Sequence, residues 1–312
     1  MSAPSQKNDL FRRDWLVARH YFLARLTTLL VLCFALCFTL ACATNSPTTT
    51  NARTVKDELN RSIRVPIHPQ RIVSLAPSIT ETIFALGAGD RVVGVTTFCD
   101  YPPEAITKEK IGDTVRPNIE KIIALKPDLV IVSTSSQLEQ VVANLGALGI
   151  PVYVSNPRNL DGVLSSINGI GELIGEQARA SELTANLRAR IEAVKQITGS
   201  ESRPRVLFIL GTEPLITVGG GTFIDDLIAR AGGLSISSDA GGEYPQYSLE
   251  TAVAKQPEVI FISSGVELPA RLKQTPAAEA GRVYRLDDNL VLRPGPRVVD
   301  GLEQMAARIR QH

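Results

Sequence analysis

Few residues of this chain could do covalent chemistry, and their spacing argues against it. Past position 43 the histidines are His68, ahead of the first core strand, and His312, the last residue, so a Ser/His/Asp or Cys/His triad lacks a base within reach. No His/Cys cluster has the spacing of a metal site. Gly87-x-Gly89 follows a helix rather than a strand, and Gly219-Gly220-Gly221 lacks the following Lys-Ser/Thr, so neither cradles a phosphate. The chain reads as a non-enzyme with no metal and no cofactor of its own. What remains is recognition chemistry. Tyr244 sits in a Gly-rich, Pro-flanked loop; Asp288 and Asn289, in a strand-end loop, could hydrogen-bond the amides of a ligand or serve the turn itself. Arg116, Arg293 and Arg297 offer planar donors to an anionic ligand, although Arg297 could equally open the last helix. Two carboxylates, Glu120 and Glu250, stand at the same place in two copies of one motif.

That motif points to the elements. Residues 118–133 recur at 248–263: Glu120 matches Glu250, Ala124 matches Ala254, Pro127 matches Pro257 and Ser133 matches Ser263. In each copy a small polar N-cap (Asn118, Ser248) opens a short helix with its acid in the positive first turn, worth about 0.3–1 kcal/mol. A proline then stops the helix, and a β-branched run makes a buried strand. Strands are expected at 71–75, 92–95, 152–154, 205–210 and 283–286, with helices at 79–86, 138–148 and 223–231. Alternating strands and helices on short connections mean parallel, helix-flanked sheets. Between the copies, Leu183, Leu187, Ile191 and Val194 fall at helical spacing in a stretch without proline. A single helix over 176–198 would be a strut of about 35 Å. The fold class is therefore α/β, two Rossmann-like lobes with parallel sheets joined by a single long α-helix, with a ligand cleft between them.

Both ends of the chain carry information. Lys7, Arg12, Arg13, Arg19 and Arg25 precede an apolar run, Leu26 to Ala41, that ends in Leu40-Ala41-Cys42-Ala43, the layout of a secretory signal. Cleavage before Cys42 would leave a lipid-anchored cysteine, whereas cleavage after Ala43 would release a soluble protein; a retained anchor is a third option, with an apolar run short for a span. The run Asn45 to Asn51 suits a tether and favours the lipoprotein. The organisation is then signal 1–43, linker and lead-in strand 44–70, N-terminal lobe 71–160, connecting helical region 161–198 and C-terminal lobe 199–312. The whole chain has 33 basic and 32 acidic residues. Without its leader it is near neutral, which argues against nucleic acid as a partner. Cys99 is then the only cysteine left in the fold, so no intrachain disulfide forms.

Three segments, Phe98-Cys-Asp-Tyr-Pro-Pro103, residues 118–131 and Tyr244-Pro-Gln-Tyr-Ser-Leu-Glu250, resemble the cobalamin-binding proteins that feed ABC importers. More broadly they resemble the iron-siderophore, haem and cobalamin substrate-binding class, over about Arg71 to Arg310. The resemblance implies two α/β lobes on one long helix, a monomer exported to the periplasm or lipid-anchored on the outer face of a membrane, and an ABC permease with its ATPase as partners. It implies that Glu120 and Glu250 dock onto the permease, and that Phe98 and Tyr244 hold a flat corrin from the two lobes. Other positions that match family aromatics carry Thr114, Ser133, Leu210 and Leu290, which makes a thinner cage. The expected ligand is cobalamin or a related corrinoid. A ferric siderophore or haem, with Tyr101, Tyr244 or Tyr247 as axial ligand, is the alternative within the class, and a bilobed sensor unconnected to transport is the alternative outside it.

Overall fold

The computed structural model describes residues 52–134, 138–198 and 203–311. The expected signal segment, Cys42 and the tether lie outside the described residues, as does His312. The lead-in is an antiparallel hairpin, β1 (Ala52–Lys56) and β2 (Ser62–Pro66).

The N-terminal lobe follows as β3 (Ile72–Ser74), α1 (Pro77–Ala85), β4 (Val92–Val95), α2 (Pro103–Ile106), β5 (Glu109–Lys110), α3 (Ile119–Ala124), β6 (Leu129–Ser133), α4 (Leu138–Ala147) and β7 (Val152–Ser155). Its five strands are all parallel, in the order β5-β4-β3-β6-β7. The loop from Phe98 stops one residue earlier than its two prolines suggest. Pro103 is the first residue of α2, where a missing N–H costs nothing.

The C-terminal lobe comprises β8 (Arg205–Ile209), the small hairpin β9 (Gly211–Thr212) and β10 (Leu215–Ile216), α7 (Phe223–Arg230), β11 (Leu234–Ser235), α8 (Leu249–Ala254), β12 (Val259–Ile262), α9 (Pro276–Glu279), β13 (Val283–Arg285), α10 (Asp288–Val291) and α11 (Val298–Arg310). Its main sheet is parallel, in the order β11-β8-β12-β13. Between the lobes run α5 (Leu160–Ile174) and α6 (Gln177–Thr198), separated at Gly175, which caps α5 in the left-handed conformation.

The period of two along the strands shows how the lobes share a core. Val73, Val130, Val132, Val152 and Val154 pack on the outer face of the first sheet, and Leu207, Ile209, Ile260 and Ile262 on that of the second. The alternate residues, Ile72, Leu129 and Ile131 in one lobe and Val206, Phe208, Val259 and Phe261 in the other, belong to a single cluster with Leu173, Leu187, Ile191 and Val194 of α5 and α6. The long helix, about 33 Å at 1.5 Å per residue, is tied down near its start and again past its middle. Near its start Arg179 donates to the Leu86 carbonyl (3.0 Å), and Arg91 pairs with Glu176 at 2.5 Å. Further along, Arg190 pairs with Asp300 and Glu303 of α11, both at 2.6 Å. Gly87 permits the first of these ties, since a Cβ there would fall 1.9 Å from the Arg179 guanidinium.

The internal repeat is deeper in the structure than in the sequence. Asn118 Oδ1 accepts from Lys121 N (2.9 Å) and Ser248 Oγ from Thr251 N (3.2 Å), as N-caps should. Lys126 and Gln256, at equivalent positions after α3 and α8, both have φ of 48°. Arg71, just before β3, donates to the carbonyls of Leu125 and Lys126; Arg205, opening β8, does the same to Lys255 and Gln256. Asp128 accepts from the Arg71 amide and Glu258 from the Arg205 amide. Each lobe thus carries the same arginine–acid clasp around the end of its helix.

Candidate functional site

In a parallel α/β sheet ligands collect beyond the carboxyl ends of the strands, and a cavity of about 500 Å³ lies there, walled by both lobes. The N-terminal lobe contributes Ser78 at the start of α1, Thr114, Ser133 and Thr134 at the end of β6, and Ser155 to Arg158 at the end of β7. The C-terminal lobe contributes Gly221 to Phe223 at the start of α7, then Glu243 and Tyr244, and Leu292 to Pro294. The lining is rich in hydroxyl and amide groups. Thr134 Oγ1 donates to Asn156 Oδ1 (2.8 Å), which aims that amide. The β7 end is itself held from behind, because Glu58 in the β1–β2 turn accepts from the Asn156 backbone amide at 2.5 Å. Burial raises the pKa of the Glu58 carboxyl.

Charge is concentrated at two places on this cavity. Arg158 and Glu243 face each other from opposite lobes at 2.5 Å. Arg293 is tied elsewhere: it donates to Glu81 Oε1 (3.1 Å), Asp100 Oδ1 (2.6 Å) and the Phe98 carbonyl (3.3 Å). Arg297 donates to both oxygens of Glu81 (2.8 and 2.7 Å) and lies 3.9 Å over the Tyr101 ring. Glu81 is on α1, so this network joins the lobes beside the cavity. The lobes approach closely there, since a Cβ on Gly295 would meet Ser78 O at 3.1 Å. The Arg293 hydrogen bond holds the Asp100 carboxyl below the usual range.

Of the residues singled out for ligand contact, Tyr244 lines the cavity and is 54% exposed. Burial, then the Glu243 carboxylate, raises its phenol pKa. Phe98 is 56% exposed rather than packed in the core. Its side chain is not among the cavity walls, but its carbonyl is bound by Arg293, which is. Arg116 is exposed in the turn that Asp113 closes, accepting from the Arg116 amide at 2.5 Å, and does not line the cavity. Asp288 and Asn289 do not form a strand-end loop. Asp287 caps the turn of α10 by accepting from Asn289 N (3.0 Å), and Asp288 accepts from Ser264 N (3.2 Å), so both serve the C-terminal lobe away from the cavity walls. Thr114 and Ser133 line the cavity; Leu210 and Leu290 do not. Sequence reading passed over Arg158, Glu243 and Glu81. The signal for the first was Ser155-Asn156-Pro157-Arg158, a polar run leaving the carboxyl end of a strand.

Glu120 and Glu250 are both exposed, in the first turns of α3 and α8. Helices of such units run antiparallel to the strands, so these turns lie on the same edge of each sheet as the cleft. Thr114 and Tyr244, each six residues before its glutamate, both line the cavity. Glu120 pairs with no other side chain among the described residues, whereas Glu250 accepts from Ser248 Oγ (3.1 Å) and pairs with Arg271. Its own backbone amide, then Ser248 and Arg271, lower its carboxyl pKa. Among the described residues no group of three or more His, Cys, Asp or Glu could hold a metal ion, and no helix is long and apolar enough to cross a membrane.

The sequence model of periplasmic binding proteins matches residues 72–290, which take in the N-terminal lobe, the connection and most of the C-terminal lobe. The chain belongs to the periplasmic binding protein family. Among solved structures, this binding protein is similar to the periplasmic vitamin B12 binding protein BtuF of Vibrio cholerae, at 31% identity and a TM-score of 0.72 over 78% of this chain and 98% of that one. It is also similar to the periplasmic haem-binding protein RhuT of Roseiflexus sp. RS-1, at 33% identity and a TM-score of 0.70 over 77% and 97%. The ABC transporter substrate-binding lipoprotein YvrC of Bacillus subtilis is 34% identical over 268 residues, 82% of this chain and 85% of that protein. The bilobed α/β architecture read from the repeat is that of these binding proteins.

Proposed function

We propose that this binding protein captures cobalamin or a related corrinoid between its lobes and presents it to an ABC permease, with the energy supplied by the partner ATPase. The observation that carries the reading is a two-lobed cleft whose polar wall of Ser78, Thr114, Thr134, Ser155 and Asn156 faces an aromatic, Tyr244. Hydroxyl and amide groups suit the many amide side chains of a corrinoid, and one exposed ring gives its flat face a stacking partner. The likeness to a vitamin B12 binding protein over nearly its full length supports the same ligand class. The cleft performs no chemistry in this reading. Glu120 and Glu250 dock the loaded protein onto the permease, and Cys42 carries the lipid anchor, for which the Bacillus lipoprotein is the supporting relative. The protein acts as a monomer.

The test is direct. The purified protein is mixed with cyanocobalamin and desalted, and visible absorbance is read in the protein fraction; stoichiometric co-elution is the expected result, and a colourless fraction overturns the corrinoid reading. A haem reading has one observation in its favour. Tyr247 donates its hydroxyl to the Ile236 carbonyl and Tyr101 lies under Arg297, which leaves Tyr244 as the tyrosine at the cavity, placed for an axial phenolate. The same column run with haemin decides it.

A further inference from the structure

Arg158 and Glu243 form an ion pair that the stability of the protein does not need. Their side chains are 64% and 59% exposed, and exposed pairs add little. Yet they come from different lobes, and both line the cleft. Arg293, the other arginine of the lining, is fixed by Glu81 and Asp100. Among the described residues Arg158 is held only by a solvated carboxylate, so it can change partners at small cost. Its own wall offers a donor in the Asn156 side-chain amide, and among the described residues no side chain caps the first turn of α1, which opens onto the same cavity. The field on that side favours a negative group.

We infer that Arg158 is a specificity residue that exchanges Glu243 for an anionic group on the ligand. Resting on the corrinoid reading, that group is a phosphodiester, whose two free oxygens match the forked donors of a guanidinium. The bridge spans the two lobes at the wall of the cavity, so a ligand seated between them meets Arg158 and Glu243 together. The ligand then replaces the charge that Arg158 loses, and Glu243 returns to water. Corrinoids that keep the phosphodiester are selected over those that lack it.

The experiment titrates cyanocobalamin, which has the phosphodiester, and dicyanocobinamide, which lacks it, against the wild-type protein, Arg158→Ala and Glu243→Gln, with thermal unfolding as a check on folding. The wild type should prefer cyanocobalamin by about tenfold, the scale of one charge-assisted hydrogen bond. Arg158→Ala should weaken cyanocobalamin alone and bring the two ligands together. Glu243→Gln should tighten cyanocobalamin, since Arg158 no longer has a competing partner. A preference that persists in Arg158→Ala, or an equal loss for both ligands, overturns the assignment while leaving the corrinoid reading intact. Failure of the wild type to bind either corrinoid overturns the reading and this inference with it.

Discussion

Replacing Glu81 with alanine removes a carboxylate that receives three hydrogen bonds across the lobe boundary, one from Arg293 and two from Arg297. The Glu81 side chain is 1% exposed. Breaking a buried pair from one side costs about 3–5 kcal/mol, mostly because the partner charge is left desolvated. Here the two arginines fare differently. Arg293 keeps Asp100 at 2.6 Å, but among the described residues Arg297 keeps only the face of Tyr101 at 3.9 Å. The Arg297 side chain is 20% exposed, and a cation over a ring retains some stabilisation, so the low end, about 3 kcal/mol, is expected. For a protein of this size that is a fall in Tm of about 6–12 °C. Glu81→Gln, which keeps an acceptor and the shape but not the charge, should lose less. Thermal unfolding followed by circular dichroism at neutral pH, at low and at molar salt, is the assay. Salt screens exposed charges far more than buried ones, so the difference from wild type should survive high salt. A fall below about 2 °C, or one that vanishes in salt, would refute the argument that this network clamps the lobes.

Other perturbations probe the remaining parts. Glu120→Ala combined with Glu250→Ala should abolish uptake in cells while Kd stays at the wild-type value and Tm falls by a few degrees at most, the scale of two exposed first-turn charges; normal uptake would remove the docking role. Tyr244→Ala should weaken corrinoid binding by about 1–3 kcal/mol, one lost aromatic stack, and an unchanged isotherm would take Tyr244 out of the site. Asp100, its carboxyl pKa depressed by Arg293, stabilises the folded protein above the ordinary aspartate range and loses that contribution as pH falls through the folded value. The Tm gap between wild type and Asp100→Asn should therefore narrow as pH drops from about 5 to about 3; a gap constant with pH contradicts it. Gly295→Val should lower both Tm and affinity, because a side chain there presses on Ser78 across the boundary, whereas Gly241→Ala, with nothing among the described residues within 4 Å, should change neither.

What the sequence could convey follows from which contacts are local. The helix–strand repeat was legible because cap, acid, proline stop and β-branched run all lie within 16 consecutive residues of each copy. The long helix was legible because Leu187, Ile191 and Val194 fall on one face, and that face is the buried one. The clasp of Arg71 on the Leu125 carbonyl was not, since partners 54 residues apart carry no periodic signal. The cleft suffered most. Glu81 meets Arg297 across 216 positions and Arg158 meets Glu243 across 85, and no local pattern distinguishes these charges from solvated ones. Asp288 and Asn289 misled for the opposite reason. Asp and Asn beside a strand end suit a loop or a cap equally well, and Asp287 makes the cap.

How the cleft admits its ligand follows from where the cohesion lies. Leu173, Leu187, Ile191 and Val194 share one apolar cluster with the inner strands of both lobes. A wide hinge opening would pull part of that cluster into water, at about 1.5–3 kcal/mol for each large side chain. Exposing four would cost about 6–12 kcal/mol, comparable to the whole stability of a typical domain. The Glu81 network adds a second barrier on the same boundary. Parting Arg158 from Glu243 costs about 0–1 kcal/mol by comparison. Opening is therefore a movement of the rim, with the loops around Arg158 and Tyr244 shifting over lobes that stay joined. Solution scattering should find nearly the same radius of gyration with and without ligand, while fluorescent labels placed either side of the rim report a change.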